Sequence, residues 1–226
     1  MFKTITEGRA KIIVPKEERI SKDLPVFYNP LMKLNRDISV FLLNSIPNKD
    51  MQISLPLAGT GVRGIRFIKE LKKGKVKKIY FNDRSKDACN LIEKNLEEND
   101  VKNNFEVYNN FAGTFILNSL GADYIDIDPY GSPTPFLPAA MERISRDGIL
   151  AVTATDTAAL SGTYAKACKR KYHSRPLKNF MMHETGLRIL IKKVQEDGAV
   201  YDKALTPIYS YSKDHYMRVF FKVEKG

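Results

Sequence analysis

Cysteine is scarce in this chain of 226 residues. Cys89 and Cys168 lie far apart, form no Cys-x-x-Cys pair and have no histidines at zinc spacing. That pattern excludes a disulfide framework and a structural zinc. Long apolar runs are missing as well, and none approaches the roughly 20 residues that a membrane-crossing helix requires. The opening stretch MFKTITEGRAKIIVPKEER lacks both an apolar core segment and a small-residue cleavage site. A secretory signal is therefore not expected, and a cytoplasmic location is. Internal repeats, low-complexity tracts and linker-like compositions do not occur either.

Acidic charge is in short supply. Lys and Arg number 37 against 26 Asp and Glu, a formal charge of +11. That balance makes a polyanion such as nucleic acid a candidate partner, with a general lysine-rich bias as the equally simple alternative. What is present is a globular composition, 43% hydrophobic and 28% charged, in a chain long enough to bury the core of one large α/β domain.

Apolar runs bounded by turn residues at 52–58, 78–82, 105–109, 123–128 and 148–155 read as strands. Between them, GVRGIRFIKELKK places Ile65, Ile68 and Leu71 on one helical face. SKDACNLIEKNLEEN does the same with Ala88, Leu91, Ile92 and Leu96, behind Ser85 as N-cap. Alternation at this spacing predicts βαβ units and a parallel sheet. The end of the chain departs from it. A helix over 177–196 is followed by KALTPIYSYS and HYMRVFFKVEKG, two strand-like runs so close that an antiparallel hairpin must join them. The expected fold is thus a doubly wound, mostly parallel sheet of seven strands with a terminal antiparallel hairpin. Ahead of it lie about fifty residues: a basic lead containing EGRAKIIVP, then a helix over 30–45 whose Leu34, Ile38, Phe41 and Leu42 are expected to pack on the core.

LAGTGVRGIRF follows the first of the five strands and opens a helix. Its Gly59-x-Gly61-x-x-Gly64 pattern permits positive φ and close backbone approach, beside the unpaired N–H groups of a helix start. Asp83 stands at the carboxyl end of the next strand, where an acid takes both hydroxyls of a ribose. A nicotinamide dinucleotide and S-adenosylmethionine share this geometry. Arg63 and Arg66, in the first turn of the helix, suit a pyrophosphate or a methionine carboxylate and do not decide between them.

The fourth strand decides. It runs ADYIDIDPYG, ending in Asp128, Pro129 and Tyr130 at the sheet edge where ligands bind in such folds. An unpaired carboxylate there is costly as core and sensible as a site. The amino group of a nucleobase is a poor nucleophile because its lone pair is delocalised into the ring. A carboxylate and a proline-turn carbonyl that accept its two N–H bonds draw the nitrogen toward tetrahedral geometry and free the lone pair for an electrophilic methyl. Tyr130 adds a π face for the base.

Asp128-Pro129-Tyr130 resembles the Asp/Asn-Pro-Pro-Tyr/Phe signature of amino-directed methyltransferases. Taken with FYNPLMKLNRDISV and AGTGVRGIRF, the chain over 7–224 is similar to the catalytic domain of the tRNA (guanine-N2)-dimethyltransferase family, which acts on guanosine 26. The resemblance implies a Rossmann-like class I fold, S-adenosyl-L-methionine as cofactor, tRNA as substrate and two successive methyl transfers to guanine N2. It implies roles for matching residues too. Arg36 and Arg66 resemble cofactor-contacting arginines, Asp83 the ribose acid, Asp128 the catalytic acceptor, and Phe27 and Tyr130 the aromatic pair that holds the guanine. Where the family has an acid before alanine at the end of the third strand, this chain reads NNFAG. The adenine contact is therefore expected from Asn110 and the Ala112 backbone, beside Phe111. The expected organisation is the lead and helix over 1–50 packing on a methyltransferase domain over 51–226, and the C-terminal tRNA-binding domain of the family is expected to be absent from this chain. A non-catalytic RNA-binding module on the same fold and a nicotinamide-dependent oxidoreductase are the alternatives.

Other polar features carry simpler expectations. Asp126 is expected to hold the turn or a neighbouring N–H, and Asp156 or Thr157 to cap a following helix. His183 reads as a satisfied structural histidine, and KELKKGKVKK as a solvated face. AKACKRKYHSRPLK, with Lys166, Lys169, Arg170, Lys171, Arg175 and Lys178 around Tyr164, Tyr172 and His173, reads either as a phosphate-binding edge or as a solvated basic loop. Glu7-Gly8 borders the base pocket if the lead folds over it.

Overall fold

A computed structural model describes residues 2–16 and 26–226. Two antiparallel strands open it, Phe2–Glu7 (β1) and Ala10–Pro15 (β2), joined at Gly8-Arg9. The sequence reading had only a basic lead here. The hairpin forms because β2 buries Ala10, Ile12 and Val14 on one side. Its outward backbone groups are taken by two side chains of a later helix, Lys86–Glu98 and the residue after it. Asn95 and Ile13 exchange bonds of 2.7 and 3.2 Å, and Asn99 and Lys11 bonds of 3.0 and 2.6 Å.

Pro30–Met32 forms a 3-10 turn in which Asn29 accepts from the Leu31 N–H at 2.9 Å, and Lys33–Ser45 (α1) continues it. The helix lies where expected, but with the opposite face inward. Asn35, Arg36, Ser39, Val40 and Leu43 are buried, whereas Phe41 is 73% exposed. The apolar stripe misled because this helix buries polar groups that carry bonds, Arg36 to Glu7 and Ser39 to Arg63.

Contacts divide the chain into two compact units, Met1–Phe115 and Ile116–Gly226. In the first, Met51–Leu55 (β3), Val62–Glu70 (α2), Val76–Asn82 (β4), Lys86–Glu98 (α3) and Phe105–Tyr108 (β5) alternate. β3 pairs β4 and β4 pairs β5, all parallel. Ser85 caps α3 through the Ala88 N–H, and Ala88, Leu91, Ile92 and Leu96 are buried as the spacing predicts. Ala112–Asn118 (α4) follows.

The second unit holds Ala122–Ile127 (β6), Leu137–Arg143 (α5), Ile144–Ala154 (β7), Thr157–Leu160 (α6), Ala165–Tyr172 (α7), Met182–Ala199 (α8), Lys203–Lys213 (β8) and Tyr216–Lys225 (β9). β6 and β7 are parallel, β9 is antiparallel to β7, and β8 closes the edge. Pro207 sits on this edge strand beside a register shift, where its missing N–H breaks no ladder. α8 begins five residues later than the expected 177. Asn179 accepts from the Met181 N–H at 2.9 Å and so turns the chain before the helix starts.

The strands belong to a seven-stranded, mostly parallel sheet that ends in an antiparallel hairpin. The inner strand β7 reads as an apolar run because it is covered on both faces: every residue from Gly148 onward is buried.

Candidate functional site

The first unit places the glycine turn and the acid together. Gly61 stands at the start of α2 with φ 77, and Gly59 has φ 55. A Cβ on Gly59 would lie 2.8 Å from the Phe27 carbonyl oxygen, so this approach is open only to glycine. The Gly59 N–H donates to Asp83 Oδ2 at 2.9 Å, and the Ser85 N–H to Oδ1 at 3.0 Å. Burial raises the Asp83 carboxyl above the usual carboxylate range, against the lowering pull of those backbone donors. The Arg84 backbone N–H is a third donor, and a carboxylate with about four acceptor positions still has capacity for a ligand hydroxyl.

Sequence reasoning missed the clip behind this site. The Asn82 side chain, fully buried, donates to the carbonyls of Pro56 and Asn110 at 2.9 and 3.0 Å and accepts from the Asn110 N–H at 3.0 Å. It ties the chain ends beyond β3, β4 and β5 to one another. Phe111 follows, 64% exposed, with the Arg84 guanidinium 5.1 Å from its ring centre. Ala112 begins α4. Phe27 is 38% exposed.

Arg36 and Arg66 meet on one carboxylate. Arg36 donates to Glu7 Oε1 and Oε2 at 2.6 and 2.7 Å, and Arg66 to Oε1 at 3.0 Å. Tyr28 donates its hydroxyl to the same carboxylate at 2.9 Å. Arg66 also pairs with Asp37 at 2.7 Å and Glu70 at 2.7 Å. Burial works against the Glu7 charge, but the hydrogen bond and charge of Arg36 outweigh it and hold the carboxyl at about 2. Burial and the Glu7 charge push the Tyr28 phenol up to about 12. The lead thus carries Glu7 into the arginine cluster. Its sequence signal was a lone acid in a basic stretch.

In the second unit, β6 delivers Asp128-Pro129-Tyr130 just past its last residue, Ile127. Tyr130 is 68% exposed and Pro129 is buried. Thr155, one residue beyond β7, accepts from the Gly131 N–H at 2.6 Å and approaches the Pro129 carbonyl at 3.4 Å, while its own N–H donates to Gly131 O at 3.0 Å. Behind the motif lies a buried ion pair. Arg218 donates to both carboxylate oxygens of Asp126 at 2.8 and 2.7 Å and to Thr153 at 2.7 Å, and the Tyr124 hydroxyl donates to Asp126 at 2.5 Å. Asp126 therefore does more than hold a turn. Its partner is 92 residues away in sequence and arrives on the reversed strand.

Asp156 occupies the N-cap position of α6 but makes no side-chain cap bond there. It accepts from the Tyr172 hydroxyl at 2.6 Å and from Lys171 at 2.9 Å instead. Ser132 donates to the Tyr172 hydroxyl at 3.0 Å, so α7 is fastened to the loop after Tyr130. His183 is exposed, with Ser212 at 3.4 Å as its polar neighbour. Lys75, in the stretch expected to be solvated, is buried and donates to the Ile46 carbonyl.

A glycine turn after one parallel strand, an acid after the next and a reversed terminal hairpin define a Rossmann-like class I methyltransferase fold. Trm1 from Pyrococcus horikoshii, solved with S-adenosyl-L-methionine, shares it at a TM-score of 0.88 and 39% identity, over 99% of this chain and 62% of that one. More particularly, the chain belongs to the N2,N2-dimethylguanosine tRNA methyltransferase family, whose model matches residues 8–226. It is 44% identical to the tRNA (guanine(26)-N(2)/guanine(27)-N(2))-dimethyltransferase of Aquifex aeolicus over 98% of its length. To the tRNA (guanine(26)-N(2))-dimethyltransferase of Methanobrevibacter smithii it is 42% identical over its whole length. It spans 58% of each of these two relatives.

Proposed function

We propose that the chain is the methyl-transferring part of a tRNA (guanine-N2)-dimethyltransferase that acts at N2 of guanosine 26. The observation that carries this reading is Asp128-Pro129-Tyr130, presented directly beyond the buried end of β6. S-adenosyl-L-methionine supplies an electrophilic methyl group and leaves as the neutral thioether. Asp83 takes the ribose hydroxyls with the acceptor capacity its backbone donors leave, and the Gly59–Gly61 turn admits the cofactor close to the backbone. Asn110, Phe111 and Ala112 border the adenine. Arg36, held in orientation by Glu7, is the arginine for the methionine carboxylate, and Arg66, engaged by Glu7, Asp37 and Glu70, fixes Glu7 beneath it.

The Asp128 carboxylate and the Pro129 carbonyl accept the two N–H bonds of the guanine amino group. The nitrogen lone pair forms the new N–C bond, and the proton it sheds leaves by way of Asp128. Tyr130 stacks on the base. The proposal includes tRNA as partner, the lead and helix over 1–50 as an addition to the methyltransferase domain, and a cytoplasmic location. Among the described residues no helix is long and apolar enough to cross a membrane.

Calorimetric titration with S-adenosylhomocysteine, on the wild type and on Asp83→Ala, tests the cofactor half of this reading. Binding in the micromolar range that the substitution abolishes is the expected result. Absence of binding to the wild type would leave the non-catalytic RNA-binding reading in its place.

A further inference from the structure

Between Asp156 and Glu184 the chain carries six Lys and Arg residues and no acid. Lys171 is neutralised by Asp156 at 2.9 Å. Lys166, Lys169, Arg170, Arg175 and Lys178 are exposed and make no ion pair among the described residues. Cations in the last turn of α7 favour the negative end of the helix dipole, which accounts for Lys169 and Arg170. It does not account for Arg175 and Lys178, beyond the helix. The basic stretch 69–78 makes a useful contrast. There Lys69 bonds the Asn99 carbonyl, Lys75 bonds Ile46 and Lys78 pairs with Glu106, so much of that charge has a structural use.

Two exposed rings flank the uncompensated cations: Tyr164 at 64% and Phe180 at 92%. The fold folds these ends back on each other. Gly162 has φ 92, and a Cβ on it would stand 2.9 Å from the Leu177 carbonyl oxygen and 3.0 Å from Lys178 Cβ. Tyr172, fully buried, fastens α7 through Ser132 and Asp156 to the loop that follows Asp128-Pro129-Tyr130.

We propose that the outer face of α7 and the segment to Met181 form an RNA docking surface, with Lys166, Lys169, Arg170, Arg175 and Lys178 on backbone phosphates and Tyr164 and Phe180 against unpaired bases. Naming tRNA as that RNA rests on the function proposed above. The ligand is a polyanion because the charges are unpaired and clustered, and it carries aromatic bases because a ring of high exposure stands at either end of the row of cations. The Tyr172 tether gives the surface a purpose: phosphates seated on α7 are held at a set distance from the loop that presents Tyr130.

The test is filter binding of a tRNA transcript across a range of salt concentrations, without cofactor. One variant, the α7 variant, combines Lys166→Glu with Arg175→Glu and Lys178→Glu, the cations that the helix dipole does not account for. The other combines Lys72→Glu, Lys73→Glu and Lys77→Glu, three exposed lysines of the contrasting stretch, and alters net charge equally. The α7 variant should weaken binding about tenfold or more and lower the slope of log K against log salt by about 2, while the other changes far less. Both should keep the wild-type melting temperature and affinity for S-adenosylhomocysteine. Equal weakening by the two variants, or none by the first, would overturn the proposal. So would binding of phosphatidylserine vesicles or polyglutamate in preference to tRNA. Loss of S-adenosylhomocysteine binding by the wild type would instead strike at the proposed function, and the docking comparison would still be read.

Discussion

At the scale of single residues, the acids of this chain have separate duties that their surroundings assign. The proposed function gives Asp128 the base as its partner, so Asp128→Ala should cut methyl transfer about 10²- to 10⁴-fold and leave S-adenosylhomocysteine affinity within about twofold. Steady-state methylation alongside calorimetry checks both, and equal loss of the two would move Asp128 into the cofactor site. In the proposed function Asp83 takes the ribose hydroxyls as a carboxylate, and burial has lifted its pKa. Cofactor affinity should therefore decline on acidification from a higher pH than an ordinary carboxylate would set, and Asp83→Asn should flatten that decline. Asp126 is legible in sequence only as one of two acids on a strand, since the Arg218 that neutralises it comes from a strand of the other direction. Arg218→Met leaves a buried charge unpaired and should cost about 3–5 kcal/mol in urea denaturation.

Among the elements, the strands at 52–58, 78–82, 105–109, 123–128 and 148–155 were legible as apolar runs and α2 and α3 as amphipathic helices, whereas the short helices α4, α5 and α7 were not placed. What was not legible depends on partners. β2 is a strand because Asn95 and Asn99 serve as its outer neighbour, and nothing in EGRAKIIVP announces two asparagines that lie more than 80 residues on. α1 was placed correctly and rotated wrongly, since its buried face is chosen by ion pairs and hydrogen bonds instead of by apolar area. The glycine turn and Asp83 were read from spacing alone, yet Asn82, which ties the ends beyond three strands together, is one ordinary polar residue at a strand terminus. Asn95→Ala strands the half-buried N–H and carbonyl of Ile13 and the buried carbonyl of Thr60. It should cost about 1–3 kcal/mol and speed amide exchange in β1 and β2 ahead of α3, as hydrogen-exchange mass spectrometry would record.

The whole molecule is basic, and its acid stability should turn on one carboxylate more than on its surface pairs. Glu7 titrates at about 2 in the folded chain against 4.5 in the unfolded one. A lowered folded pKa adds stability that is complete above the unfolded value and is lost as pH falls toward the folded one. The loss should thus run between about pH 4.5 and 2, on the order of 3 kcal/mol, and Glu7→Gln should remove that dependence in acid-denaturation curves. The positive charge of the chain adds repulsion over the same interval.

The two asparagine side chains on β2 also govern growth of the small sheet. A strand edge with open N–H and C=O groups invites a further strand, and two such edges allow a ladder to extend without limit. Amide side chains occupy the β2 edge, which leaves β1 as the one pairing edge of that hairpin among the described residues. A sheet with one closed side accepts a single newcomer and then stops. Any association through this hairpin is thus expected to end at a pair of molecules, without running on into a fibre.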